Sequence, residues 1–234
     1  IEAKAFLAVQ LWVNRDKGLP LNSHQAVDSL LGDVFRAEPM HPAHHYRIHL
    51  WDDEKALRAL TAAAMCGPSA PNIAHIWHMP GHTYSKLNRF SDAAWQQEAS
   101  ARVDHKHMIR ERIVPDQIHN YAHDLEWLIR NLNYLGRPRQ SLEMAKNLIE
   151  MPRHPRYNTL AKNGTAAYGR RRLFDVLSLF ELWDETIALD DTVCVEPTDA
   201  GARREGRRGG RGGRTGGEPA QRRNKAWREV RARA

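Results

Sequence analysis

The chain has 234 residues, 41% of them hydrophobic and 27% charged, with a mean hydropathy of −0.66, enough to bury one core of ordinary size. Its net charge of +7 is unevenly spread: from residue 201 onward eleven Arg and one Lys stand against three Glu, a net of +9, so residues 1–200 hold 23 basic and 25 acidic groups, a net of −2. The body is therefore close to neutral and does not read as a nucleic-acid-binding domain, while Cys66 and Cys194 form no C-x-x-C motif and read as buried free thiols.

Apolar spacing predicts helices near 2–14 and 23–36, the second capped by Asn22 or Ser23, then near 42–51 with Pro42 in its first turn, and near 53–65. Further helices are predicted at 72–88, 91–110, 116–135, 138–150 and 158–189, the last divided near Gly169. Strand alternation and Asn-Gly or Asp-Gly hairpin dipeptides are missing. The connections Asp52-Asp53, Asn88-Arg-Phe-Ser91 and Gly136-Arg-Pro138 are short, so neighbouring helices should pack antiparallel. The longest uncharged run, residues 59–85, is broken by Pro68, Pro71, Pro80 and Gly81 and holds three histidines, which excludes a bilayer helix and leaves a soluble chain as the expectation. The chain opens on Ile1 and reads as an excerpt or a processed product.

These hairpins are alike. Trp77-x-x-Pro80-Gly81-x-x-Tyr84 followed by Ala93 resembles the Trp-x-x-Leu-Gly-x-x-Tyr…Ala pattern of tetratricopeptide (TPR) repeats. Tyr134-Leu-Gly-Arg-Pro138 leading into Ser141–Ala145, and Trp51-Asp-Asp-Glu-Lys-Ala56, resemble the turns of two further repeats. Three departures stand out. Pro80 replaces a Leu, Gln97 and Ser100 occupy positions for apolar residues, and an insertion is expected between 101 and 116. The resemblance implies an all-α fold of antiparallel helix hairpins stacked as a TPR-like right-handed α-solenoid over residues 1–195. The phrases His41-Pro-Ala-His-His-Tyr-Arg-Ile-His49, Ile76-Trp-His-Met-Pro-Gly-His82 and Ile118-His-Asn-Tyr-Ala-His123 are further similar to those of a group of bacterial His-rich TPR-containing proteins. That second likeness implies the fold and no particular activity.

The same three phrases carry the chemistry. Residues three or four apart on a helix share a face, so each phrase sets at least two imidazoles on one stripe. In TPR domains the first helix of a hairpin lines a concave groove, and carrying that over assigns His41, His45, His49, His75, His78, His82, His119, His123, Glu126 and Arg130 to a groove for a protein, a peptide or a small ligand. The alternative reading is a transition-metal site, for zinc, copper or iron, built from His45, His49, His78, His82, His119 and His123. Asp104, Asp124 and Glu126 are the carboxylates that would orient such ligands. There is no His-Glu-x-x-His, P-loop, Gly-x-Ser-x-Gly or dinucleotide fingerprint, so the sequence nominates no reaction. Pro80 inside a helical pattern implies a kink or a new helix start. Asp104-His-Lys-His107 reads as a solvated helix end, and Trp51, Trp77, Trp95, Trp127, Phe174, Phe180 and Trp183 read as core.

Residues 196–234, rich in Arg and Gly, hold almost no apolar content and read as a disordered tail. Arg/Gly segments associate with RNA through phosphate charge and stacking, but the only aromatic residue here is Trp227, so nucleic-acid binding is expected through the tail or not at all.

Overall fold

A computed structural model describes residues 1–154 and 164–189 together with Cys194, and among these every regular element is helical. The described residues fall into two compact units, one up to Glu111 and one from Arg112 onward. The first contains α1 (Glu2–Asn14), α2 (His24–Ala37), α3 (His44–Trp51), α4 (Leu60–Ser69), α5 (Ala74–Lys86) and α6 (Phe90–Glu111). The second contains α7 (His119–Tyr134), α8 (Pro138–Glu150), α9 (Thr165–Leu179) and the short α10 (Trp183–Ala188). The Arg/Gly tail lies outside the described residues.

Four of the helical segments close on a residue that turns left-handed. Gly18, Asn88, Gly136 and Glu181 have φ of 81°, 57°, 66° and 52°, and in each case the next amide reaches back five residues. Those bonds are Leu19 to Asn14 (3.1 Å), Arg89 to Tyr84 (2.9 Å), Arg137 to Leu132 (3.1 Å) and Leu182 to Leu177 (3.0 Å). This is the Schellman closure, which satisfies the orphan carbonyls at a helix end and reverses the chain within a few residues. Gly136 adopts the conformation with no Cβ penalty. Sequence neighbours then pack as pairs: α1 on α2, α4 on α5 and α5 on α6 in the first unit, α7 on α8 and α8 on α9 in the second.

Each unit has its own core. In the first, Leu31, Val34, Ile48 and Trp51 meet a run of small residues, Ala59, Ala62, Ala63 and Ala93. In the second, Ile129, Leu148, Ile149, Leu173, Val176 and Leu177 are fully or almost fully enclosed. Cys66 and Cys194 are both buried, and burial pushes the Cys66 thiol up to about 12. No helix among the described residues is long and apolar enough to cross a membrane.

Several sequence expectations need correction. Pro42 precedes α3, which begins at His44, because His41 Nδ1 accepts the Ala43 amide (3.0 Å) and holds the preceding turn. The helix expected over 53–65 is a 3-10 turn, Ala56–Ala59, followed by α4, whose last turn includes Pro68. The insertion expected between 101 and 116 is mostly helical, in keeping with the helix predicted at 91–110, since α6 runs to Glu111. The helix expected over 158–189 divides at residues 180–182 and not at Gly169; residues 155–163 lie outside the described residues. Trp95 is 58% exposed, edge-on to Trp77 with ring centroids 5.6 Å apart, and does not belong to the core.

Gly169 is the close-packing point of α9 on α8. A Cβ there would meet Ile149 Cγ1 at 2.7 Å, the Ile149 amide nitrogen at 2.9 Å and the Ala145 carbonyl oxygen at 3.0 Å. Two of these atoms are backbone and cannot move without shifting the helix. Gly169→Ala gains about 1 kcal/mol of helix propensity, against an overpacking cost of about 1–3 kcal/mol, at whose upper end a rigid backbone contact belongs. A net loss of stability and a lower Tm are expected from urea and thermal unfolding; an unchanged or raised stability would show that α8 and α9 are not packed this closely.

Candidate metal centre

Helix α3 is pinned by one carboxylate. Asp28 of α2 accepts Arg47 Nε (2.6 Å) and Nη2 (2.8 Å) and also the indole N–H of Trp51 (3.0 Å). Ile48 and Trp51 are thereby held in the core, and His45 and His49, one turn apart, are left half-buried. Helix α5 runs unbroken through Pro80. The proline removes the amide that would serve the Ile76 carbonyl, and α6 reaches over to this helix with side chains. Ser100 Oγ donates to the Ala74 carbonyl (2.7 Å) and Gln97 Nε2 to the His78 carbonyl (3.2 Å), both from fully buried positions. Gly81 makes the second bond possible, since a Cβ there would lie 2.2 Å from Gln97 Nε2. The two polar departures from the repeat pattern are thus the residues that grip α5.

The result is a row of five imidazoles from two helices. His49 and His45 stand with centroids 4.6 Å apart, His45 and His75 5.0 Å, His75 and His78 5.7 Å, and His78 and His82 4.6 Å. Within each i, i+4 pair the Nε2 atoms face one another, at 3.0 Å for His45 and His49 and 2.7 Å for His78 and His82. His45, His49 and His75 each offer a ring nitrogen within 4.8 Å of the other two. His78 is buried, His45, His49 and His82 are half-buried, and His75 is exposed. Trp12 covers the far side of His49 at 4.6 Å.

Burial and the neighbouring imidazoles keep His45 and His49 uncharged. Burial, then His49, His75 and His78, bring His45 down to about 3. Burial, then His75 and Arg15, bring His49 down to about 4 against the opposing pull of Asp53. Neutral imidazole is the form that binds a metal ion.

The other nominated residues have different surroundings. His41 is buried, accepts the Ala43 amide and lies 3.1 Å from the exposed Glu2 carboxylate, so it does not join the row. His119, His123, Glu126 and Arg130 belong to the second unit. There the His119 and His123 rings stack at 5.6 Å with an interplanar angle of 13°. His123 Nδ1 lies 3.1 Å from Glu126 Oε1, while Arg172 binds Glu126 Oε2 through Nε (3.1 Å) and Nη2 (2.9 Å). Burial raises the Glu126 carboxyl, but His123, Arg172 and Arg171 outweigh it and hold the group below its ordinary range. Arg130 lies over the Trp127 ring at 4.5 Å and over the Tyr134 ring at 5.6 Å. Asp104 and Asp124 are buried. His105 and His107 are exposed near the end of α6, as expected of a solvated helix end.

No family model matches the sequence, and no curated protein matches it. Among solved structures, the chain is similar to a protein of Podosopora anserina described as a kinesin light chain with nearly identical TPR-like repeats. The TM-score is 0.54 at 13% identity, covering 99% of this chain and 95% of that one. The likeness shows a TPR-like helical-repeat fold.

The neutral histidines link stability to pH. In the unfolded chain His45 and His49 titrate near 6.5, whereas folded they stay neutral down to about 3 and about 4. Between those limits the unfolded state binds more protons, so the contribution is full above about pH 6.5 and is lost as pH falls through that window. Urea unfolding of metal-free protein should show falling stability from about pH 7 to about pH 4.5, with a shallower fall in His45→Gln/His49→Gln. Equal slopes in the two proteins would contradict the burial of these rings as neutral groups.

Proposed function

We propose that this chain is a TPR-like scaffold whose first unit binds a late first-row transition metal ion through His45, His49 and His75. The observation that carries this reading is the approach of three imidazole nitrogens, from two helices, to within 4.8 Å of one another. Two nitrogens on one tetrahedral ion at about 2.0–2.1 Å lie roughly 3.3–3.4 Å apart, so the His45–His49 pair at 3.0 Å needs a shift of tenths of an ångström. His75 then has to close by at most roughly an ångström and a half, which a side-chain adjustment at an exposed position supplies.

The donor set decides the class of ion. Three imidazoles without a carboxylate or thiolate suit zinc, copper or iron and not magnesium or calcium. Three protein ligands also leave a position open, as in sites that bind water or substrate; structural zinc sites are closed by four. In a helical-repeat protein such an open position lies on a surface of the kind that takes a protein or peptide, and a donor from that partner would complete the ion's coordination. The partner-binding and metal readings then describe one site.

Protein purified without an affinity tag should bind Co(II) or Zn(II) with a rise in thermal stability, about 2.7 kcal/mol when free metal is a hundredfold above Kd. Replacing His45 and His49 by Gln should weaken binding by at least about tenfold, which is about 1.4 kcal/mol. Wild-type affinity in that variant, with helicity intact, would refute the assignment.

A further inference from the structure

The row holds more imidazoles than one ion uses, and they are sorted into pairs. His45-x-x-x-His49 on α3 and His78-x-x-x-His82 on α5 share the spacing that lets two histidines on one helix face chelate a single ion. In both, the rings meet nearly at right angles, 69° and 74°, with centroids 4.6 Å apart. In both, Nε2 faces Nε2, at 3.0 and 2.7 Å. The third pair of the same spacing, His119 and His123, is arranged differently: its rings lie nearly parallel at 5.6 Å, with His123 Nδ1 directed to Glu126. Spacing alone therefore does not produce the convergent geometry; α3 and α5 produce it twice.

We propose that the first unit holds two transition-metal ions side by side, the first at His45 and His49 with His75, the second at His78 and His82. This rests on the metal reading above and adds a second position to it. His75 stands between the two, its ring 5.0 Å from His45 and 5.7 Å from His78. Both chelating pairs also have fixed backbones. Asp28 anchors α3 through Arg47 and Trp51, and Gln97 bonds to the carbonyl of His78 itself. Each ion keeps the positions that the imidazoles leave open, and the ligand class such positions accept is water, a small oxyanion or a carboxylate.

Stoichiometry tests this on the full chain, whose residues beyond His154 contain no histidine. Tag-free protein is titrated with Zn(II) and with Cu(II), counting equivalents by calorimetry and by metal analysis after gel filtration. Two equivalents are expected, with one lost in His45→Gln/His49→Gln and the other in His78→Gln/His82→Gln. Because His78 is enclosed, His82→Gln alone is made as well, and circular dichroism checks that helicity is kept. The Cu(II)-loaded protein should give a magnetically coupled paramagnetic-resonance signal that collapses to an isolated-ion spectrum in either variant. One equivalent lost in both double variants would mean a single shared ion and would overturn the proposal while leaving metal binding intact. One equivalent indifferent to His78 and His82 would overturn it likewise. No bound metal would end both the proposal and the reading beneath it.

Discussion

Two neutral imidazoles cannot point Nε2 at Nε2 across 2.7–3.0 Å unless something lies between them. One ring must carry a proton there and the other a lone pair, or both lone pairs must meet a cation. The first unit contains this arrangement twice within one row of five rings, in surroundings that bring His45 down to about 3 and His49 down to about 4. Protonating such a row places positive charges side by side in a half-buried setting, which is costly. A metal ion brings charge too, but it is coordinated by every lone pair at once. The remaining features of the unit bear on keeping these nitrogens where they are.

Polar side chains of α2 and α6 do that work. Asp28 fixes α3 from the α2 side, taking three donors on two oxygens. On the other side, Gln97 and Ser100 grip the carbonyls of α5 around the proline that interrupts its ladder. An apolar residue at either position would pack, as the repeat pattern expects, but it would lose the hydrogen bond that ties α6 to α5, worth about 0.5–1.5 kcal/mol. The departures from the repeat consensus are therefore concentrated where the helix carrying His75, His78 and His82 meets its support.

Much of the fold was legible because its signals are local. Helical periodicity, the Ser23 cap, the reversals at Asn88 and Gly136 and the first-turn Pro138 each act over a few residues, and α8 has the bounds expected of it. Features that depend on packing are of a different kind. Gly169 reads as a break because glycine is a poor helix former, yet its missing Cβ is what lets Ile149 and Ala145 come within about 3 Å of that position. The 101–116 insertion is an insertion only against the repeat length; the periodicity of 91–110 already reads as helix, and α6 runs to Glu111. At the candidate site the i, i+4 spacing identified each pair but not the partners across helices. Spacing puts His75 in the groove set and not in the metal set, because its approach to His45 depends on how α3 and α5 pack. Nor does spacing reveal that the His41 ring accepts the Ala43 amide of its own turn.

The central claim is that His45, His49 and His75 are ligands and not a hydrogen-bonded packing cluster. Anomalous diffraction at the zinc absorption edge, from crystals of zinc-loaded protein, tests it most directly. The account predicts a peak between α3 and α5 with nitrogens of His45, His49 and His75 at about 2.0–2.1 Å. Zinc found only elsewhere, with His45 and His49 still hydrogen-bonded to each other, would contradict it.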